Sequence, residues 1–182
     1  MTREILLVPH ANRKENLQAT SRAAELLQDA GITVRVCADE NVLPGLKHVF
    51  HTEDAARGCE LVLVLGGDGT FLRAADMARA VDIPVLGINL GHVGFLAEWE
   101  VESLDQALVR VIEKRYRIED RLTIDVSIFD EEGNLLNRSW ALNEASVENQ
   151  NRSGVLDAIL EIDRRPVSSF GCDGVLISTP TG

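Results

Sequence analysis

An aspartate stands between glycines in Gly66-Gly67-Asp68-Gly69-Thr70, directly after the apolar run Leu61-Val62-Leu63-Val64-Leu65. An apolar run closed by glycine suits a strand buried on both faces of a parallel sheet. The residues that follow suit a helix, so the stretch reads as strand, tight turn, helix. The glycines permit positive φ and close approach of backbone to a ligand. The first N–H groups of the helix would face the turn, a ready place for a phosphate. A carboxylate there repels a phosphate unless it holds a metal ion or takes a proton from a nucleophile. Phosphoryl transfer, with Asp68 as base or metal ligand, is the chemistry this combination suggests. The plain alternative is that Asp68 only caps a helix starting near Thr70.

Two further acids interrupt strand-like sequence. Asn143-Glu144 follows Trp140-Ala141-Leu142, and Asp173 lies within Gly171-Cys172-Asp173-Gly174. Each suits a surface turn. Together, acids at 68, 144 and 173 suit a polyhydroxylated ligand, because carboxylates accept hydrogen bonds from sugar hydroxyls. His48 and His51 are three apart, but with no third ligand nearby they read as loop residues rather than a metal pair. Cys37, Cys59 and Cys172 lie far apart without metal-ligand spacing, which suits reduced thiols in a cytosolic chain. Cys172 reads as a buried, inert thiol.

The elements that must position these residues fall into two halves. Glu4–Val8 predicts a first strand, and the spacing of Leu17, Ala24, Leu27 and Ala30 predicts a helix stopped by Gly31. Ile32–Val36 predicts a second strand, and Glu53–Arg57 a short helix before Gly58. After the 60–80 unit, Asp82-Ile83-Pro84 closes the helix and residues 83–89 form another buried strand. Its turn, Leu90 to Leu96, is punctuated by Gly91 and Gly94, so two glycine-rich turns would share one edge of the sheet. Ser103-Leu104-Asp105-Gln106 fits a capping box, followed by the stripe Leu104, Leu108, Val111, Ile112. From Tyr116 the period changes to two. Glu132-Gly133-Asn134 signals a hairpin and Asp163–Pro166 a turn, and strand-like runs continue to Ser178. The expected architecture is an α/β domain over 1–115 with a parallel, Rossmann-like or phosphofructokinase-like sheet, then an all-β domain over 116–182, here incomplete.

The chain has 182 residues and a formal net charge of −11. That charge argues against non-specific nucleic-acid binding. An anionic ligand would need local N–H groups, arginines or a divalent cation. No run reaches membrane-span length, and no signal-peptide core follows Met1. The sequence stops at Ser178-Thr179-Pro180-Thr181-Gly182, straight after an apolar run, and reads as truncated, with strand edges prone to association.

Gly66–Thr70 resembles the signature shared by NAD kinases, diacylglycerol and sphingosine kinases and, more distantly, phosphofructokinases. The other stretches choose among them. Asn89 to Leu96 resembles the second NAD kinase motif, and Ala141-Leu142-Asn143-Glu144 the third. Gly171–Gly174 with Ser178–Gly182 resembles the start of the fourth. The resemblance is to a bacterial-type NAD kinase with an actinobacterial cast. It implies transfer of a phosphoryl group from ATP, or in some members polyphosphate, to the 2′-hydroxyl of the adenosine ribose of NAD, with magnesium or another divalent cation. It implies Asp68 as proton acceptor among the nucleotide-binding residues Gly66, Gly67, Gly69 and Thr70. Arg73, in the first turn of the helix, would face a phosphate. Phe95 would pack beside adenine, and Asn143, Glu144, Asp173 and Thr181 would bind NAD. A homodimer or homotetramer is implied as well. A lipid kinase of the same superfamily and a non-catalytic NAD-binding module are the alternatives.

Overall fold

The computed structural model describes residues 2–10, 14–37, 43, 45–89, 96, 99–100, 103–149 and 154–182. The chain divides into two compact units, Met1–Ile118 and Glu119–Gly182.

In the first unit the strands β1 (Glu4–Pro9), β2 (Thr33–Cys37), β3 (Lys47–Val49), β4 (Leu61–Leu65), β5 (Val85–Asn89) and β6 (Trp99–Glu100) form a six-stranded sheet in the order 3-2-1-4-5-6. Every pairing is parallel. This is the doubly wound order, in which the chain runs outward from β1 in one direction and then returns to its other side. The alternation along the central strands explains why both faces are apolar. Ile5, Leu7, Leu61, Leu63 and Leu65 pack with helices α1 (Lys14–Asp29) and α3 (Leu104–Ile112). Leu6, Val8, Val62 and Val64 pack instead with α2 (Asp68–Arg79) and the 55–59 segment. A strand buried on both faces must be apolar throughout, and all five residues of β4 are buried.

The helix stripes follow the expected period, with local corrections. In α1 the buried face is Ala19, Ala23, Ala24 and Leu27, whereas Ala30 lies beyond the helix end and is exposed. Gly31 has φ +76, and the Gly31 and Ile32 amides donate to the Gln28 and Leu27 carbonyls. That closure by a left-handed residue recurs at Asp82 after α2 and at Lys114 after α3, both with φ +54. Ser103 makes no side-chain capping bond, so the predicted capping box does not form. Arg3 serves the other end of α3. Its guanidinium donates to the Ile112 carbonyl at the helix terminus and shares the Val111 carbonyl with the Lys114 amide. It also donates to Glu60. Burial alone would raise the Glu60 carboxyl, but the Arg3 bond and charge, with Lys114, hold it below the usual carboxylate range.

The 37–58 region differs most from expectation. His48 lies in β3, a strand too short and polar to show in the sequence. Residues 53–58 are turns rather than a helix, bonded Ala55 to Thr52 and Arg57 to Asp54. A buried arginine ties this segment down alongside the buried Ala55, Ala56 and Cys59. Arg35, 7% exposed, donates to the Ala55 and Arg57 carbonyls at 3.1 and 2.6 Å. Its Nε sits 2.7 Å from Glu4 as an ion pair whose angle falls short of a hydrogen bond. Arg35→Met keeps the stem's volume but orphans two carbonyls and a carboxylate. We expect a loss of about 2–4 kcal/mol in urea-unfolding stability.

The second unit consists of three antiparallel two-stranded ribbons. These are β7 (Ile124–Phe129) with β8 (Leu135–Ala141), β9 (Glu144–Glu148) with β12 (Gly174–Ser178), and β10 (Leu156–Ile162) with β11 (Arg165–Cys172). The predicted Glu132-Gly133-Asn134 hairpin forms. Gly133 takes φ +85, and Asp130 accepts the Glu132 and Asn134 amides. At the other hairpin Asp163 and Arg164 both take positive φ, the mirror-image two-residue turn, while Pro166 lies inside β11 rather than in the turn. Residues 116–123 carry no strand despite their alternation. The run expected from Val167 to Ser178 breaks at Asp173.

Candidate functional site

The reversal of strand order places a crevice at the carboxyl ends of β1 and β4. Open α/β sheets bind ligands at such a point. Pro9 and Leu65 are the last paired residues, and the His10 amide extends the ladder by donating to the Leu65 carbonyl at 2.9 Å. The Gly66 amide donates to Ile88 on the other side at 3.1 Å. The turn is therefore fixed to both neighbouring strands before the helix begins.

Asp68 is the first residue of α2, which begins two residues ahead of the start expected near Thr70, so Asp68 lies inside the helix and is not its cap. Gly67 holds the N-cap position in extended backbone, without a side-chain cap. Asp68 instead accepts the Leu96 amide on Oδ1 at 3.1 Å, from a residue 28 positions away. Asp68 is half-buried, and the Leu96 amide orients its carboxylate. The Thr70 and Phe71 amides both donate to the Gly67 carbonyl, and the positive end of the helix favours negative charge. An oriented carboxylate beside an anion-favouring helix end can accept a proton from a hydroxyl brought in with a phosphate.

The glycines serve through size, since none of Gly66, Gly67 and Gly69 adopts positive φ. A Cβ on Gly66 would meet Thr70 Oγ1 at 2.8 Å and His10 Cβ at 3.1 Å. Gly67 and Gly69 have open space around that position. Thr70 lies in the first turn, its amide bonded to the Gly67 carbonyl. Arg73 is the sixth residue of α2, hence in its second turn and not its first. Its carbonyl meets His51 Nε2 at 3.1 Å. Phe95, with Gly91 and Gly94, lies outside the described residues.

In the second unit, Asn143 and Thr181 come together around Thr179, a residue the sequence did not single out. Thr179 is 4% exposed, and its hydroxyl donates to the Leu142 carbonyl at 2.6 Å. The same oxygen accepts the Thr181 and Gly182 amides. The Thr179 amide donates to the Asn143 carbonyl, and the backbone of Asn143 closes against Gly182 so tightly that no Cβ would fit there. Asn143 Oδ1 is buried without a partner among the described residues. Glu144 opens β9, exposed and paired with Ser178. Asp173 lies at the opposite end of that ladder, exposed, with its carbonyl accepting the Asn149 amide. Acids 144 and 173 therefore do not share one end of the ribbon. Thr179→Val removes a hydroxyl that makes three bonds. It should cost about 1–3 kcal/mol and raise amide exchange at Thr181 and Gly182, as read by hydrogen-exchange mass spectrometry.

Cys37 and Cys59 are buried and unbridged, and burial pushes the Cys59 thiol up to about 11. Cys172 is half-buried rather than buried, with Sγ 3.7 Å from the Leu156 carbonyl. No helix of the described residues is long and apolar enough to cross a membrane.

A doubly wound α/β unit with a glycine-aspartate-glycine turn at its switch point defines a nucleotide-binding class of protein. The profile of the ATP-NAD kinase N-terminal domain matches residues 5–116. The NAD kinase of Corynebacterium efficiens is 63% identical over 99% of this chain and 59% of its own length. That of Corynebacterium glutamicum is 67% identical over 88% of this chain and 58% of its own, and that of Rhodococcus jostii 55% over 99% and 62%. The crystal structure of yeast NADH kinase complexed with NADH has the same fold, with a TM-score of 0.84 at 21% identity over the whole chain and 58% of that one. The chain belongs to the NAD kinase family, as its four motifs led us to expect, and spans about three fifths of the length of these curated relatives.

Proposed function

We propose that the protein is an NAD kinase, transferring the γ-phosphoryl group of ATP to the 2′-hydroxyl of the adenosine ribose of NAD to give NADP. The observation that carries this reading is Asp68, held by the Leu96 amide at the start of α2 and at the switch point of the sheet. A ribose hydroxyl is a poor nucleophile. In this reading Asp68 takes its proton as the new O–P bond forms, while the bond to the leaving ADP breaks. Gly69 and Gly67, both open to space, let the substrate approach the backbone. Thr70 and Arg73 supply donors along α2. Asn143, Glu144, Thr181 and Asp173 bind polar groups of NAD, and Phe95 packs on its adenine.

Among the described residues no three His, Cys, Asp or Glu side chains gather to hold a metal ion. In this reading a divalent cation is carried by the substrate phosphates, as magnesium usually is in nucleotide sites. Bound there, the ion would neutralise charge on the transferring group. Polyphosphate is a second donor to test, and a cytoplasmic homo-oligomer is the form we propose for the working protein.

The test is to incubate the protein with NAD, ATP and magnesium and assay NADP. Formation of NADP supports the reading. Binding of NAD without product would instead favour a non-catalytic module, and phosphorylation of diacylglycerol a lipid kinase.

A further inference from the structure

We propose that His10 contacts the phosphoryl donor, its imidazole donating a hydrogen bond to the donor's phosphate chain. The inference rests on the kinase reading and adds a residue to it. His10 directly follows β1, one of the two strands that flank the switch point, and its amide bond to Leu65 fixes its backbone beside the turn. Its Cβ lies 3.1 Å from the place a Gly66 side chain would occupy, and the residue is exposed. The glycine therefore makes room for the histidine at the mouth of the crevice.

Charge makes the position consequential. The chain carries a net charge of −11, and Asp68 adds a carboxylate at the turn itself. A polyphosphate needs compensating donors close by. Among the described residues, the basic side chains within two residues after a strand of this sheet are His10, directly after β1, and His51, two residues past β3. β3 is the edge strand, two strands away from β1. His10 is the one placed at the switch point.

His10→Ala keeps the Cβ beside Gly66 and the backbone bond to Leu65, so it removes only the ring. His10→Gln restores a donor. With the wild type active, His10→Ala should raise KM for magnesium-ATP about 10-fold or more. The Kd for NAD and the thermal midpoint should stay unchanged, and His10→Gln should recover most of the loss. An unchanged KM for ATP, an equal rise in the Kd for NAD, or a fall in thermal midpoint would overturn the proposal. If the wild type makes no NADP, the kinase reading has failed separately. Calorimetry with inorganic tripolyphosphate then decides the role of His10: weaker binding by His10→Ala supports it, and equal or absent binding by both proteins overturns it.

Discussion

Asp68→Asn should lower the rate of NADP formation by about 10²–10⁴-fold, the range a positioned general base contributes. The substitution is nearly isosteric, and the amide oxygen can still accept the Leu96 N–H that now meets Oδ1 at 3.1 Å. The turn and α2 should keep their places. Only proton acceptance is lost, together with a negative charge at a helix start worth about 0.3–1 kcal/mol. The Kd for NAD should therefore change little, and the thermal midpoint by no more than a few degrees. Stopped-flow and steady-state assays read the first quantity, calorimetry the second. A variant that retained the wild-type rate would remove Asp68 from the chemistry.

Gly66→Ala is the second large effect, and it has a different origin. The added methyl would sit 2.8 Å from Thr70 Oγ1, 3.0 Å from Thr70 Cβ and 3.1 Å from His10 Cβ. The hydroxyl can rotate away, but the two Cβ atoms are carried by the backbones of α2 and the end of β1. The turn must shift, at a cost of about 1–3 kcal/mol. Asp68 is two residues on, and a displacement near 1 Å in a reacting group costs on the order of 10²-fold in rate. We expect kcat/KM to fall at least that far and the thermal midpoint to drop with it. Gly69→Ala is the contrast. Its Cβ meets nothing within 4 Å, and alanine in place of glycine within a helix adds up to about 1 kcal/mol. A Gly69→Ala protein should be as stable as wild type or more so, yet slower if the ribose approaches that backbone. Equal activity would show that Gly69 is not needed for ligand approach.

How legible all this was depends on the range of the forces involved. β4 and its turn could be read because five successive apolar residues have few other uses, and because glycine at a strand end is informative. Gly31 announced the end of α1 for the same reason. Lys114 and Asp82 end α3 and α2 in the same geometry, but a lysine or aspartate carries no such signal. β3 depends on pairing with β2 and has no pattern of its own. The predicted short helix at 53–57 gave way to turns held by Arg35, whose partners lie 20 and 22 residues away. The site shows the same divide. Asp68 stood out as an acid between glycines, but the Leu96 amide that orients it is a backbone group with no sequence signature. Asn143 and Thr181 were visible as motif residues, whereas Thr179, which ties them together, stood in the same motif stretch as Thr181 without a role of its own. The opposite placement of Glu144 and Asp173 follows from strand register, which single acids do not encode.

The central claim is that this protein phosphorylates the 2′-hydroxyl of NAD with Asp68 as the proton acceptor. The most direct measurement uses ATP labelled at the γ-phosphorus, NAD and magnesium, with wild type and Asp68→Asn side by side and the product resolved by position of the label. The account predicts label on the 2′-oxygen of the adenosine ribose, formed by the wild type and lost about 10²–10⁴-fold in the variant. Label on any other acceptor, or equal labelling by both proteins, would contradict it.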